Sequence, residues 1–177
     1  MRELPAIADE AEQSRLPFLI IGGLAVSSYG HVRSTADADF AIPRRDLDAW
    51  KGLLAKFGYA VKHEQSAFAQ FLPPFATMWP VDLMLLNDAT FEKLNRAAKM
   101  NTIAGKPRPV PCALHLIAMK LHAVRHGSAD RRDQDLRDIT ELIRLEHLDV
   151  NAEDFRTVCR DYGTPELDNE IRKRLEG

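Results

Sequence analysis

Apolar and polar positions along this chain repeat with two different periods, and the switches between them outline its elements. Residues 3–15 mix Ile7, Ala8 and Ala11 with Glu10 and Glu12, which predicts a leading helix. Pro17-Phe18-Leu19-Ile20-Ile21 is a short, partly β-branched run that suits a buried strand. Gly22 and Gly23 follow at once, and Leu24, Ala25, Val26 and Tyr29 then recur at helical spacing. From Ala36 to Ile42, Ala38, Phe40 and Ile42 alternate with Asp37 and Asp39. A strand there carries an apolar face on one side and both carboxylates on the other. Beyond Pro43, the stripe Leu47, Trp50, Leu54 and Phe57 predicts a helix that stops at Gly58. Tyr59–His63 and Phe68–Leu72 read as strands, and Phe71–Pro80, with three prolines, as a loop and a wall for any site beside it. Trp79–Leu86 reads as a buried strand with one charge, Asp82, near its start. Asp88–Met100 predicts a further helix, capped by Asn87 or Asp88.

The C-terminal part has the helical period throughout. Leu114, Ile117, Ala118 and Leu121 form one stripe with Lys120 on its edge. After a break at Gly127-Ser128, Asp130–Arg144 forms a second helix whose apolar face is Leu136, Ile139, Leu142 and Ile143. At about 100° per residue, Asp135 falls between Leu142 and Ile139 and points into that buried stripe. A buried acid needs a partner, and Lys120 on the preceding helix or Arg132 on the same face can supply one. Such a pair either pins two helices together or belongs to a site. Asn151–Tyr162 and Thr164–Glu176 read as two closing helices, with Thr164-Pro165-Glu166 as a start signal.

Composition narrows the function classes. The 177 residues suffice for one good core, 45% are hydrophobic and 28% charged, and the net charge of −2 exerts no global pull on nucleic acid. Two cysteines, Cys112 and Cys159, give neither a disulfide framework nor a metal spacing, so a reducing, cytoplasmic setting is expected. No apolar run reaches membrane length and the N-terminus lacks a signal-peptide core, so no membrane partner is expected. Lys93, Arg96, Lys99, Lys106 and Arg108 form a run without an acid. It either steers an anionic substrate or RNA, or is a solvated face without aromatic residues for base stacking. His122 and His126 lack a neighbouring glutamate of the metalloprotease kind, and Ser27 and Ser28 lack a nucleophile-elbow context.

The remaining chemistry lies between Ile21 and Phe40 and at Asp82. A strand, a glycine pair and a helix start bring backbone N–H groups towards whatever sits above the turn, which favours phosphate; two glycines also simply make a turn. Two aspartates on one strand face repel each other unless a divalent cation lies between them, or unless that face is merely wet. Asp82 adds a third carboxylate if its strand lies beside theirs, an arrangement suited to two-metal phosphoryl chemistry. Arg33, just ahead of the acids, either holds a phosphate or braces the loop.

Gly22-Gly23, thirteen intervening residues, Asp37-Ala38-Asp39-Phe40 and then Val81-Asp82-Leu83 resemble the nucleotidyltransferase superfamily with the DNA polymerase β-like fold. Gly-Gly-Leu-Ala-Val, Tyr-Gly, Arg33 and Thr35 are similar to its AbiEii-like branch, which includes toxins of toxin–antitoxin systems. So is Leu116–Leu121 followed by Arg132–Ile139. Two departures stand out: Gly23, where relatives often carry serine, and Gln134, where they often carry a base.

The resemblance implies an α/β (α+β) fold with a mixed sheet flanked by helices over residues 1–110, and a helical subdomain over 111–177 that packs on it. It implies transfer of a nucleotidyl group from an NTP such as ATP to a hydroxyl. Mg²⁺ or Mn²⁺ would be held by Asp37, Asp39 and Asp82. Nucleotide contacts would come from Gly22, Gly23, Arg33, Thr35 and Lys120, and the catalytic set would be Asp37, Asp39, Asp82, Lys120 and Asp135. The toxin branch implies tRNA or another RNA as acceptor and a cognate antitoxin as partner. An antibiotic-modifying nucleotidyltransferase and a catalytically idle nucleotide-binding module are the alternatives.

Overall fold

A computed structural model describes residues 3–127 and 129–176, which fall into two compact units. The first comprises the residues up to Ala25 and Arg33–Pro111; the second comprises Val26–Val32 and the residues from Cys112 onward.

The first unit is built on a mixed five-stranded sheet. Its strands are β1 (Leu19–Ile20), β2 (Ala38–Pro43), β3 (Ala60–Glu64), β4 (Phe68–Leu72) and β5 (Val81–Leu86), in the order β1-β2-β5-β4-β3. β2 and β5 run parallel, and the other neighbours are antiparallel. The centre of the sheet is driven by burial: Phe40, Ala41 and Ile42 of β2 are fully buried, and Val81, Leu83 and Leu85 form the buried alternation of β5. Helix α1 (Glu3–Gln13) buries Leu4, Ile7, Ala8 and Ala11, one face at helical spacing. Helix α3 (Leu47–Lys56) buries Trp50, whose ring lies 5.2 Å from Phe40 and 5.9 Å from Phe18. It stops before Gly58, whose φ of +80° only glycine adopts cheaply. Helix α2 (Gly22–Ser28) begins on the glycine pair itself and crosses the boundary between the units.

The segment after β5 differs from the expected helix Asp88–Met100. Helix α4 (Asp88–Arg96) is capped as expected, with Asn87 Oδ1 accepting from Thr90 N at 2.8 Å, but it stops at Arg96. Met100 instead belongs to a hairpin of β6 (Lys99–Ile103) and β7 (Lys106–Val110). Its two-residue turn, Ala104-Gly105, has φ of +52° and +81°, the signature of a turn that matches strand twist.

The hairpin also changes the reading of the basic run. Arg108 is only 2% exposed, and its guanidinium pairs with Asp9 and, at 2.6 Å, with Glu12 of α1. Lys106 reaches Asp9 at 2.6 Å. Two of the five cations are thus clamps between α1 and the hairpin, and Lys93, Arg96 and Lys99 are the exposed remainder. These clamps hold the Asp9 carboxyl below the usual range, the Lys106 hydrogen bond most, then that of Arg108.

The second unit is helical: α5 (Ala113–His126), α6 (Ala129–Leu145), α7 (Glu153–Tyr162) and α8 (Pro165–Glu176). α5 buries Leu116, Ile117, Ala118 and Leu121, while Leu114 is only half-buried. α6 answers with Leu136, Ile139, Leu142 and Ile143, and α5 packs against both α6 and α7. Of the expected break at Gly127-Ser128, Ser128 lies outside the described residues. Thr164 Oγ1 accepts from Leu167 N at 3.3 Å, starting α8 where the Thr-Pro-Glu signal places it.

Candidate active site

In the first unit the parallel register pairs Asp39 of β2 directly with Asp82 of β5. Directly paired residues of adjacent strands share a face, so both carboxylates stand on the same side of the sheet. Asp37 lies just ahead of β2, in a bend, so the expected strand carries only the second of the two aspartates. The three residues offer carboxylate oxygens that all lie within 4.8 Å of one another, and among the described residues they are the one such group of three potential ligands. Each is half-buried.

Neutral donors orient this trio. Thr35 Oγ1 donates to Asp37 Oδ1 at 2.8 Å, and Gln70 Nε2 of β4 donates to Asp82 Oδ2 at 3.1 Å. The glycines sit against it. Gly22 has a φ of +63°, and a Cβ there would lie 1.9 Å from Asp39 Oδ2. A Cβ on Gly23 would meet Thr35 Oγ1 at 2.8 Å and Arg33 Nη2 at 2.9 Å. Gly22, Gly23, Arg33, Thr35, Asp37, Asp39 and Asp82 are therefore one contiguous group, in which glycine is needed because side-chain atoms occupy the space a Cβ would take. Arg33 also donates to Ser34 O at 3.0 Å, which ties it to its own loop. Three ionised carboxylates this close would repel one another. Their all-oxygen donor set fits a hard divalent cation such as Mg²⁺ or Mn²⁺.

Lys120 and Asp135 belong to the second unit, and there they meet. Lys120 Nζ donates to Asp135 Oδ1 at 2.7 Å and lies 2.7 Å from Asp138 Oδ2. Asp138, whose side chain is fully buried, is the residue that sequence reasoning passed over. It lies one helical turn beyond Asp135, and that spacing was its only signal. Gln134 Nε2 donates to Asp138 Oδ1 at 3.0 Å, and His31 Nε2 lies 3.8 Å from the same oxygen. Arg132, the other partner considered for Asp135, instead forms a two-pronged pair with Glu170 of α8 at 3.2 and 2.6 Å. Gln70 was also missed, since only the strand register reveals it.

No family model matches the chain, and no curated protein matches it in sequence. Solved structures do match in fold. Crystalline ANT(2'')-Ia in complex with adenylyl-2''-tobramycin is 15% identical, with a TM-score of 0.67 over 98% of this chain and 99% of that one. Lincomycin-bound LnuA, a lincosamide antibiotic adenylyltransferase, is 17% identical, with a TM-score of 0.61 over 81% and 96%. An antigenic nucleotidyltransferase-like protein from Paracoccidioides brasiliensis is 17% identical, with a TM-score of 0.61 over 99% and 88%. The fold is therefore that of the nucleotidyltransferases: a mixed sheet flanked by helices. No helix among the described residues is long and apolar enough to cross a membrane.

Proposed function

We propose that this protein is a metal-dependent nucleotidyltransferase that moves a nucleotidyl group from an NTP to a hydroxyl acceptor. The observation that carries this reading is the carboxylate trio, two on adjacent parallel strands and one just ahead of them, set against a glycine turn that leaves no room for a side chain. Asp37, Asp39 and Asp82 hold divalent cations, Mg²⁺ or Mn²⁺. A cation bound there polarises the α-phosphate and eases deprotonation of the acceptor. Gly22 and Gly23 let the phosphates approach the backbone, with Arg33 and Thr35 beside them. Asp82 accepts the proton of the attacking hydroxyl as a new oxygen–phosphorus bond forms, and pyrophosphate leaves with the electrons of the bond that breaks. In the same reading Lys120 supplies positive charge for the triphosphate and Asp135 supports catalysis, with Asp138 fixing the lysine. The free thiols Cys112 and Cys159 suit a cytoplasmic setting.

For the acceptor, two observations favour different classes. The AbiEii-like resemblance favours a toxin that modifies tRNA and is restrained by a cognate antitoxin. Against that, Lys106 and Arg108 are spent on α1, which weakens the basic run as an RNA track. Fold neighbours of matching length, named for tobramycin and lincomycin, favour a small hydroxyl-bearing antibiotic. The test is incubation with each α-labelled NTP and Mg²⁺, supplied in parallel with total tRNA and with a panel of aminoglycosides and lincosamides. Label on tRNA supports the toxin reading, and label on a small molecule supports the antibiotic one. No transfer to any acceptor, with NTP binding intact, supports an idle module.

A further inference from the structure

We propose that Gln70 is a positioning residue for Asp82, a neutral donor that sets the plane of the third carboxylate without neutralising it. This rests on the metal-site reading above. The antiparallel register of β4 on β5 places Gln70 directly opposite Asp82, as the parallel register of β5 on β2 places Asp82 opposite Asp39. Asp39, Asp82 and Gln70 therefore form one polar row across three adjacent strands, on the same face of the sheet. The flanking residues Ala69 and Phe71 are buried on the opposite face, which fixes the side of the sheet from which Gln70 emerges.

The chemistry of the contact limits what this position can hold. An ionised carboxylate only accepts hydrogen bonds, so the amide must present its NH₂ end, as Nε2 to Oδ2 at 3.1 Å does. That bond restrains rotation of the Asp82 carboxylate without adding a charge to it. Lysine or arginine in the same place would form an ion pair that competes with a metal cation. A glutamate would add a fourth negative charge, and an aliphatic residue would remove this restraint on Asp82. Glutamine alone among these orients the ligand without adding a charge of its own.

The test is a Mn²⁺ titration of the full chain, with free Mn²⁺ read by electron paramagnetic resonance. It compares wild type, Gln70→Leu and Gln70→Lys, with Asp39→Asn as the reference and thermal melting as the check on folding. Gln70→Leu should weaken Mn²⁺ binding by about tenfold, the scale of losing support for a metal ligand, and excess Mn²⁺ should restore occupancy. Gln70→Lys should weaken it further, because its ammonium competes for Asp82. At this half-buried position the lysine can reach solvent, so this variant carries the test if Gln70→Leu fails to fold. Wild-type affinity in both folded Gln70 variants, where Asp39→Asn abolishes binding, would overturn the role of Gln70 and leave the metal site standing. Mn²⁺ binding insensitive to Asp39→Asn would overturn both.

Discussion

The two charged clusters of this molecule are built on opposite principles. In the first unit three like charges are gathered at half-buried positions on, or just ahead of, two apolar strands, and the neutral groups of Thr35 and Gln70 donate hydrogen bonds to two of them. In the second unit one ammonium lies between two carboxylates on facing helices, and the deeper of those acids is fully shielded from water. The second cluster sets one positive charge against two negative ones; removing the lysine would leave two carboxylates uncompensated. In the proposed reading the first would gain stability from a bound divalent cation. Removing an acid should therefore spare the fold in the first cluster and weaken it in the second.

The sharpest way to break this contrast is Asp39→Ala. It should lower nucleotidyl transfer by at least about 10³-fold, the scale of losing a group that acts in the transition state. Melting measured without metal should stay the same or rise, because one of three repelling charges is gone. A fall in melting temperature would put the trio in the scaffold class. Asp138→Asn should do the reverse, with a stability loss of about 1.5–3 kcal/mol in denaturant titration, because a fully buried position loses its charge-assisted contact with Lys120 while the Lys120–Asp135 pair remains. Asp135→Asn then sharpens the comparison inside the second unit. If Asp135 is functional, activity per folded molecule should collapse with a smaller stability loss than in Asp138→Asn. Activity that merely tracks the folded fraction would make it structural.

Much of this contrast was readable in the amino-acid sequence. The alternation around Asp37 and Asp39, and the lone acid in Val81–Leu86, announced charges on otherwise apolar strands. The 100° spacing turned Asp135 into the buried face of α6 and left Lys120 or Arg132 as its partner; the burial stands in the structure, and the partner is Lys120. Asp138 was hidden because α6 carries acids on several faces, and only the position of Lys120 selects among them. Gln70 could not be found without knowing that β4 pairs with β5. The hairpin was lost for a local reason. Ala97-Ala98-Lys99-Met100 consists of good helix formers, and Pro107 and Pro109 argue against a strand. Both prolines fall at alternate positions of β7, so the N–H groups they lack would all have pointed to one side, and the ladder to β6 survives.

Two smaller effects follow from packing. Gly22→Ala must strain a positive φ and drive a methyl group into Asp39, so it should lower both Mn²⁺ affinity and stability, the strain alone costing about 1–2 kcal/mol. The weakest expected effect concerns the clamp between α1 and the hairpin. Because Asp9 has a lowered pKa in the folded chain, its contribution is present above the unfolded value of 3.8 and is lost as pH falls through the folded value. Asp9→Asn should therefore melt below wild type at neutral pH, and the two melting curves should converge on acidification below pH about 4. A constant gap across that range would assign the effect to packing.

The central claim is that the trio holds metal for a nucleotide, and calorimetric titration of a non-hydrolysable NTP tests it without any knowledge of the acceptor. Binding should require Mg²⁺, disappear in EDTA and disappear in folded Asp37→Asn/Asp39→Asn. Equal affinity with and without Mg²⁺, or undiminished affinity in the double variant, would contradict it.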